Sequence, residues 1–249
     1  NVIVSKAIAM GDEFHQRNIA GSLLILKELV PLITTLDMDN NEKQRVIKFL
    51  ADTDQFFLNV MMATSKAIVD YARKIQEGTV VTTMTRNGKN FGIRIAGMGD
   101  EWFTAPVNKP RGLYFTGYTE EDGNPDIGDS AITETVGVGA IVTVAAPAVT
   151  RFVGSGGGYD DALAITDRQN EIFITNNPNW PIPNWNFKGA PCGIDARKVV
   201  ATGIAPLINT GIAHRIAGLG QIGAGTAEAP VACFEKAIVA YAKKLGIEA

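Results

Sequence analysis

The sequence predicts an α+β protein, with a helical part over residues 1–77 and a mixed part over residues 78–249. Two observations carry this. Up to Gly78 the apolar residues recur at helical spacing; beyond it, short β-rich runs alternate with glycine turns and helices. A third observation, 46% hydrophobic against 20% charged residues over 249 positions, is the profile of a globular chain able to bury a sizeable core.

The elements follow in order. After Gly11, apolar residues at Ile19, Leu23, Leu26 and Val30 mark one helical face in a helix read as starting near Asp12, and Pro31 marks a kink or a new first turn. Asn40 or Asn41 starts a short helix, QRVIKFLA. Asp52 or Thr53 caps a longer one that stops at Gly78. TVVTTMTR and FGIRIAG flank Asn87-Gly88-Lys89-Asn90, a hairpin signal. Past the loop holding Trp102, Pro106 and Pro110, the turn NPDIG leads to Asp129 or Ser130 as N-cap of a tightly packed Gly/Ala-rich helix. RFVGSGGGYDDALAITDRQNEIFI reads as strand, glycine turn, helix and strand, and NNPNWPIPNWNFKGAPCG as irregular loop. GIDARKVVATG is a short helix, PLINTGIAH a strand, GLGQIGAG a glycine turn and VACFEKAIVAYAKKL the closing helix.

Composition excludes several functions. A net charge of −3 gives no overall reason to bind nucleic acid or an anionic membrane. The apolar run from Ala140 to Val149 is too short to span a bilayer and contains Pro147. Cys192 and Cys233 are too few for a disulfide framework, and no zinc spacing is present. A reducing cytosol is the default location. The start at Asn1, inside an apolar pattern and without Met, suggests part of a longer polypeptide.

Candidate site residues gather in four places. GDEFHQRN holds His15, Arg17 and Asn18 beside Asp12 and Glu13, giving a general acid/base and an anion-binding guanidinium. A charged helix start accounts for the two acids there, but not for His-x-Arg-Asn. Arg86 and Arg94, on the two hairpin arms, suit bidentate binding of phosphate or carboxylate, or else ordinary solvation. The stretch NPDIGDSAITETV crowds Asp126, Asp129, Ser130, Thr133, Glu134 and Thr135 at one helix entrance, more polar groups than capping uses. Its likeness to a calcium loop fails, because Ile127 replaces the required glycine and Thr133 the closing glutamate. Asn209, Thr210, His214 and Arg215 cluster at a strand end before a glycine turn, where a site is expected, though His214 also suits a satisfied core position.

GDEFHQRN, TRNGKNFGIRIAGMGDEWFTAP, GNPDIGDSAITETVGVG, GIDARKVV and INTGIAHR…GQIGAG together resemble the YlbE-like proteins, which include the AllG-type subunit of oxamate carbamoyltransferase. The resemblance runs collinearly over essentially the whole chain. It implies carbamoyl transfer between oxalurate and phosphate, giving oxamate and carbamoyl phosphate, within purine and allantoin breakdown. It also implies a small anionic substrate, phosphate and other enzyme subunits as partners, and leaves homo-oligomerisation open. No nucleic-acid or membrane partner and no metal or cofactor is expected. Phosphorolysis of an N-carbamoyl compound needs cations, oxyanion donors and an acid for the leaving nitrogen. Arg86, Arg94 and Arg215 serve as the cations in this reading, Ser130 and Thr133 as donors, and His214, His15 and Glu134 as acid/base groups. A non-catalytic structural or ligand-binding subunit is the alternative.

Overall fold

A computed structural model describes residues 1–247 apart from Arg17, Asp129 and Ser155. Four helices come first: α1 (Val2–Ala9), α2 (Ile19–Thr35), α3 (Asn40–Asp52) and α4 (Phe56–Asp70). Pro31 lies inside α2. The α3 start follows from Asp39, whose carboxylate accepts from the backbone N–H groups of Asn41 (2.9 Å) and Glu42 (3.2 Å).

The predicted hairpin is β1 (Val81–Arg86) with β2 (Asn90–Ile95), and β3 (Phe103–Pro106) extends it to three antiparallel strands. Its turn is fixed locally: Gly88 adopts φ +90, and the Asn87 side chain accepts from the N–H groups of Lys89 and Asn90. A second three-stranded sheet orders β4 (Arg111–Tyr114), β8 (Gln221–Glu228) and β7 (Leu207–Ala213). The third is the ribbon of β5 (Phe173–Ile182) and β6 (Lys188–Ile194). Helices α5 (Ala148–Phe152), α6 (Tyr159–Asn170), α7 (Ala196–Thr202) and α8 (Val231–Lys244) complete the mixed α+β architecture.

Three segments depart from the expectation. Arg151 and Phe152 close α5, with Val153 as its C-cap, instead of starting a strand. NNPNWPI is strand β5, not loop: in a two-stranded ribbon both strands are edges, so prolines fit, and the register slips between Asn177 and Pro181. The expected glycine turn QIGAG lies within β8, where glycines are required because a Cβ at Gly223 or Gly225 would stand 2.4 or 2.3 Å from a β4 carbonyl oxygen.

The Gly/Ala-rich segment is tightly buried, as its small side chains imply, but is wound as two 3-10 stretches, Ser130–Val136 and Ala140–Ala145. Gly137, at φ +66, interrupts the helix between them, and Val142 leaves helical geometry inside the second. The reason is its place between two cores. Ala131 and Ile141 join a cluster with β1, β2, α7 and α8, while Ile132, Val136, Val142 and Val144 join one with α1, α4 and Trp180. A Cβ at Gly137 would lie 2.1 Å from the Pro191 carbonyl oxygen. The second cluster thus crosses the boundary between residues 1–77 and the remainder.

Candidate functional site

Between these two cores lies a polar cluster that draws on four separated segments. The first is GDEFHQRN. The expected helix start does not form there; Phe14 takes φ +66 and α2 begins only after Asn18. Asp12 holds the turn, accepting from the N–H groups of Phe14 (3.0 Å) and Gly21 (3.1 Å). The strap buries both Glu13 and His15. Asn18 is buried too, its side chain reaching the Phe14 carbonyl oxygen (3.4 Å) and Ser22, so it braces the strap. Arg17 lies outside the described residues, as does Asp129.

Each buried group meets a partner from another segment. His15 Nε2 is 2.5 Å from Ser130 Oγ. Arg86, at the end of β1, donates to Thr210 Oγ1 (3.0 Å) and pairs with Asp126 Oδ1 (2.9 Å), the two ionic side chains being only 4% and 1% exposed. Asp126 Oδ2 accepts from the Gly88 N–H at 2.8 Å, which ties the hairpin turn to residues 124–128. Glu13 Oε2 accepts from Asn209 Nδ2 at 3.1 Å. Glu134 accepts from the N–H groups of Ala140 (2.9 Å) and Ile141 (3.3 Å), capping the second 3-10 stretch.

Burial sets the protonation states. Desolvation, with the nearby Arg86 guanidinium, pushes His15 down to about 3, so its imidazole is neutral at pH 7. Desolvation also raises Glu134 to about 8, helped by the charge on Glu13 and opposed by backbone N–H donors including that of Asn209. Glu134 therefore keeps its proton at neutral pH. A neutral imidazole against a serine hydroxyl can accept or relay a proton. The pair lacks the third member of a triad, since His15 Nδ1 is buried with no hydrogen-bond partner among the described residues.

Sequence candidates thus fall into two groups. His15, Arg86, Asp126, Ser130, Glu134, Asn209 and Thr210 come together. Thr133 is fully buried, but its hydroxyl donates to the Ser130 carbonyl oxygen (2.9 Å), a backbone role. Arg94 faces elsewhere: it pairs with Asp100 (3.0 Å) and stacks on Trp102. His214 lies beyond the end of β7, its Nδ1 accepting from the Ile216 N–H and its ring edge-on to Tyr118. Arg215 is exposed beside it. The cluster contains one residue that sequence reading assigned only to the helix dipole, Glu13. The available signal was Asn18, a good N-cap immediately before the apolar run, which moves the helix start past Glu13.

Among the described residues no group of three His, Cys, Asp or Glu side chains could hold a metal ion, and no helix is long and apolar enough to cross a membrane. Burial raises both thiols, Cys233 to about 11 with a small opposing effect from Lys236, so neither is primed as a nucleophile.

A family model described as oxamate carbamoyltransferase subunit AllG matches residues 1–130, a span that includes His15, Arg86, Asp126 and Ser130. The chain is 56% identical over 245 residues to the oxamate carbamoyltransferase subunit AllG of Escherichia coli (strain K12), covering 98% of this chain and 58% of that protein. It is 43% identical over 246 residues to the uncharacterized protein YahG of the same strain, covering 99% and 52%. A crystal structure of a conserved protein of unknown function from Enterococcus faecalis V583 superposes with a TM-score of 0.93 at 43% identity, over 97% of this chain and 57% of that one. The chain thus spans just over half the length of these relatives.

Proposed function

Because this chain belongs to the AllG family of oxamate carbamoyltransferase subunits, we propose that it forms the substrate-handling part of a carbamoyltransferase subunit. The reaction is phosphorolysis of oxalurate, or of a related N-carbamoyl acid, and other subunits complete the enzyme in nitrogen catabolism. The observation that carries this reading is the burial of Arg86 beside the Ser130–His15 pair. It puts a fixed cation next to a neutral proton-transfer pair, as the chemistry requires.

The step balances simply. A phosphate oxygen bonds to the carbamoyl carbon, the bond from that carbon to the oxamate nitrogen breaks, and the phosphate proton passes to the departing nitrogen. Ser130 and His15 relay that proton. Arg86 stabilises negative charge as it moves from phosphate toward the leaving group. Glu134 holds the second 3-10 stretch rather than reacting, because its carboxyl is engaged by backbone N–H groups. His214 and Arg94, which the structure places elsewhere, have no part in the step.

A second reading has one observation in its favour: Arg86, Glu13 and Glu134 all have protein partners, as in a purely structural polar core. Assay of the full-length polypeptide with its partner subunits separates the two. Phosphate-dependent release of carbamoyl phosphate from oxalurate should fall at least about 100-fold in folded His15→Gln and Ser130→Ala variants. An unchanged rate in both favours the structural reading, and failure to turn over any N-carbamoyl acid overturns the carbamoyltransferase reading.

A further inference from the structure

A cavity of about 530 Å³ lies against the buried cluster, between the β1–β2 turn and residues 124–128. Arg86 and Asp126 form part of its lining, with Ile127 and Gly128 opposite the turn residues Asn87 and Gly88. We propose that this cavity seats the amide end of the carbamoyl compound, with Asp126 accepting its N–H and Arg86 donating to the adjoining carbonyl oxygen. The assignment rests on the functional reading above and adds to it a location and a specificity-determining residue.

The argument starts from Asp126. Its Oδ2 is occupied by the Gly88 N–H. Its Oδ1 lies 2.9 Å from Arg86 but makes no aligned hydrogen bond, although the atom is buried. A carboxylate oxygen offers two lone-pair directions, so Oδ1 retains acceptor capacity. Side by side, Oδ1 and the guanidinium present an acceptor next to donors. The planar edge of an amide or ureide, N–H beside C=O, is the complement of that arrangement. A bare phosphate or carboxylate is not, because it brings no N–H and meets the charge of Asp126. The Asp126 carboxylate thus disfavours a bare anion and selects a neutral amide edge.

Two ligands of the same shape read this directly. Oxamate and pyruvate differ by an amide NH2 in place of a methyl group. Calorimetry on the full-length wild-type polypeptide should show oxamate bound at least about tenfold more tightly, the discrimination expected when a buried acceptor loses its donor. In Asp126→Asn the side-chain oxygen must stay on the Gly88 N–H, which turns the NH2 to where Oδ1 stood, and the preference for oxamate should disappear. Gly128→Phe supplies a test that leaves the cluster untouched. A Cβ at Gly128 meets nothing within 4 Å, and its backbone is outside the left-handed region, so the fold should be kept while the ring fills the cavity. Oxamate binding should be lost with the melting temperature unchanged. If the wild type binds neither oxamate nor oxalurate, the functional reading fails and this inference with it. If the wild type binds oxamate and both variants match it in affinity and preference, the cavity assignment alone is overturned.

Discussion

Replacing His15 by Gln should change how stability depends on pH, with a sign and size set by two buried groups. Folding holds His15 down from 6.5 to about 3 and Glu134 up from 4.5 to about 8. As pH falls below 6.5 the unfolded chain protonates His15 and the folded chain does not, so this group's contribution to stability is lost toward pH 3. Glu134 acts in reverse: its contribution is fully present below 4.5, and is lost as pH rises toward 8 because only the unfolded chain ionises. At about 1.4 kcal/mol per pH unit for each proton, raising pH from 5 to 7 gains about 2 kcal/mol from His15 and loses about 2 to 3 kcal/mol through Glu134. The two nearly cancel in the wild type.

His15→Gln keeps a hydrogen-bonding group toward Ser130 and removes only the first of these. Relative to the wild type, its unfolding free energy should drop by about 2 kcal/mol between pH 5 and pH 7. Glu134→Gln should shift the other way by about 2 to 3 kcal/mol over the same interval. The assay is urea unfolding followed by tryptophan fluorescence at several pH values, with variant minus wild type taken at each. Repacking adds a constant offset and leaves the slope alone; other titrating groups cancel in the difference. A His15→Gln difference that stays constant from pH 5 to 7 would show that His15 titrates freely in the fold, and would refute its burial beside Arg86.

Three other outcomes test the surrounding architecture. Arg86→Met leaves Asp126 buried without its counter-ion and should cost about 3–5 kcal/mol in urea unfolding, much of it recovered in the Arg86→Met, Asp126→Leu double variant; no recovery would mean the two do not act as a pair. Gly137→Ala must adopt φ +66 with its Cβ against the Pro191 carbonyl, so it should destabilise by more than about 2 kcal/mol. Gly128→Ala should stay within about 0.5 kcal/mol of wild type by the same measurement, and equal effects at the two glycines would contradict the packing around Pro191. Arg94→Ala removes one partner of a surface ion pair, should cost no more than about 1 kcal/mol, and should leave oxamate affinity intact; a large affinity loss would return Arg94 to the site.

The helices and the hairpin were legible because their signals are local: periodic apolar residues, an N-cap, an Asn-Gly turn. The β5–β6 ribbon was not, since its prolines and asparagines read as loop unless one knows that both strands are edges. In β8 the glycines look like turn residues, whereas they answer the close approach of β4 carbonyls that no local pattern displays. Glu13 was missed for a similar reason. Its role depends on Phe14 adopting φ +66, which ends any helical periodicity through GDEFHQRN and turns Glu13 toward Asn209, almost two hundred residues away in sequence.

The polar entrance NPDIGDSAITETV shows how far a count of polar groups can mislead. In two short 3-10 stretches separated by glycines, many carbonyl oxygens lack the regular partners an α-helix supplies. Thr133 and Thr135 donate to carbonyls three residues back, and Glu134 accepts from the N–H groups opening the next stretch. These side chains were surplus only on the assumption of an α-helix. What leaves the segment, among the described residues of the entrance, is Asp126, Ser130 and, through the Asn209 N–H, Glu134. The first two reach Arg86 and His15, each more than 35 residues away in sequence. Capacity for a ligand is therefore better judged from polar groups that leave their own element than from their number at its start, and by that measure the entrance contributes an acid for an amide edge and a hydroxyl for proton transfer.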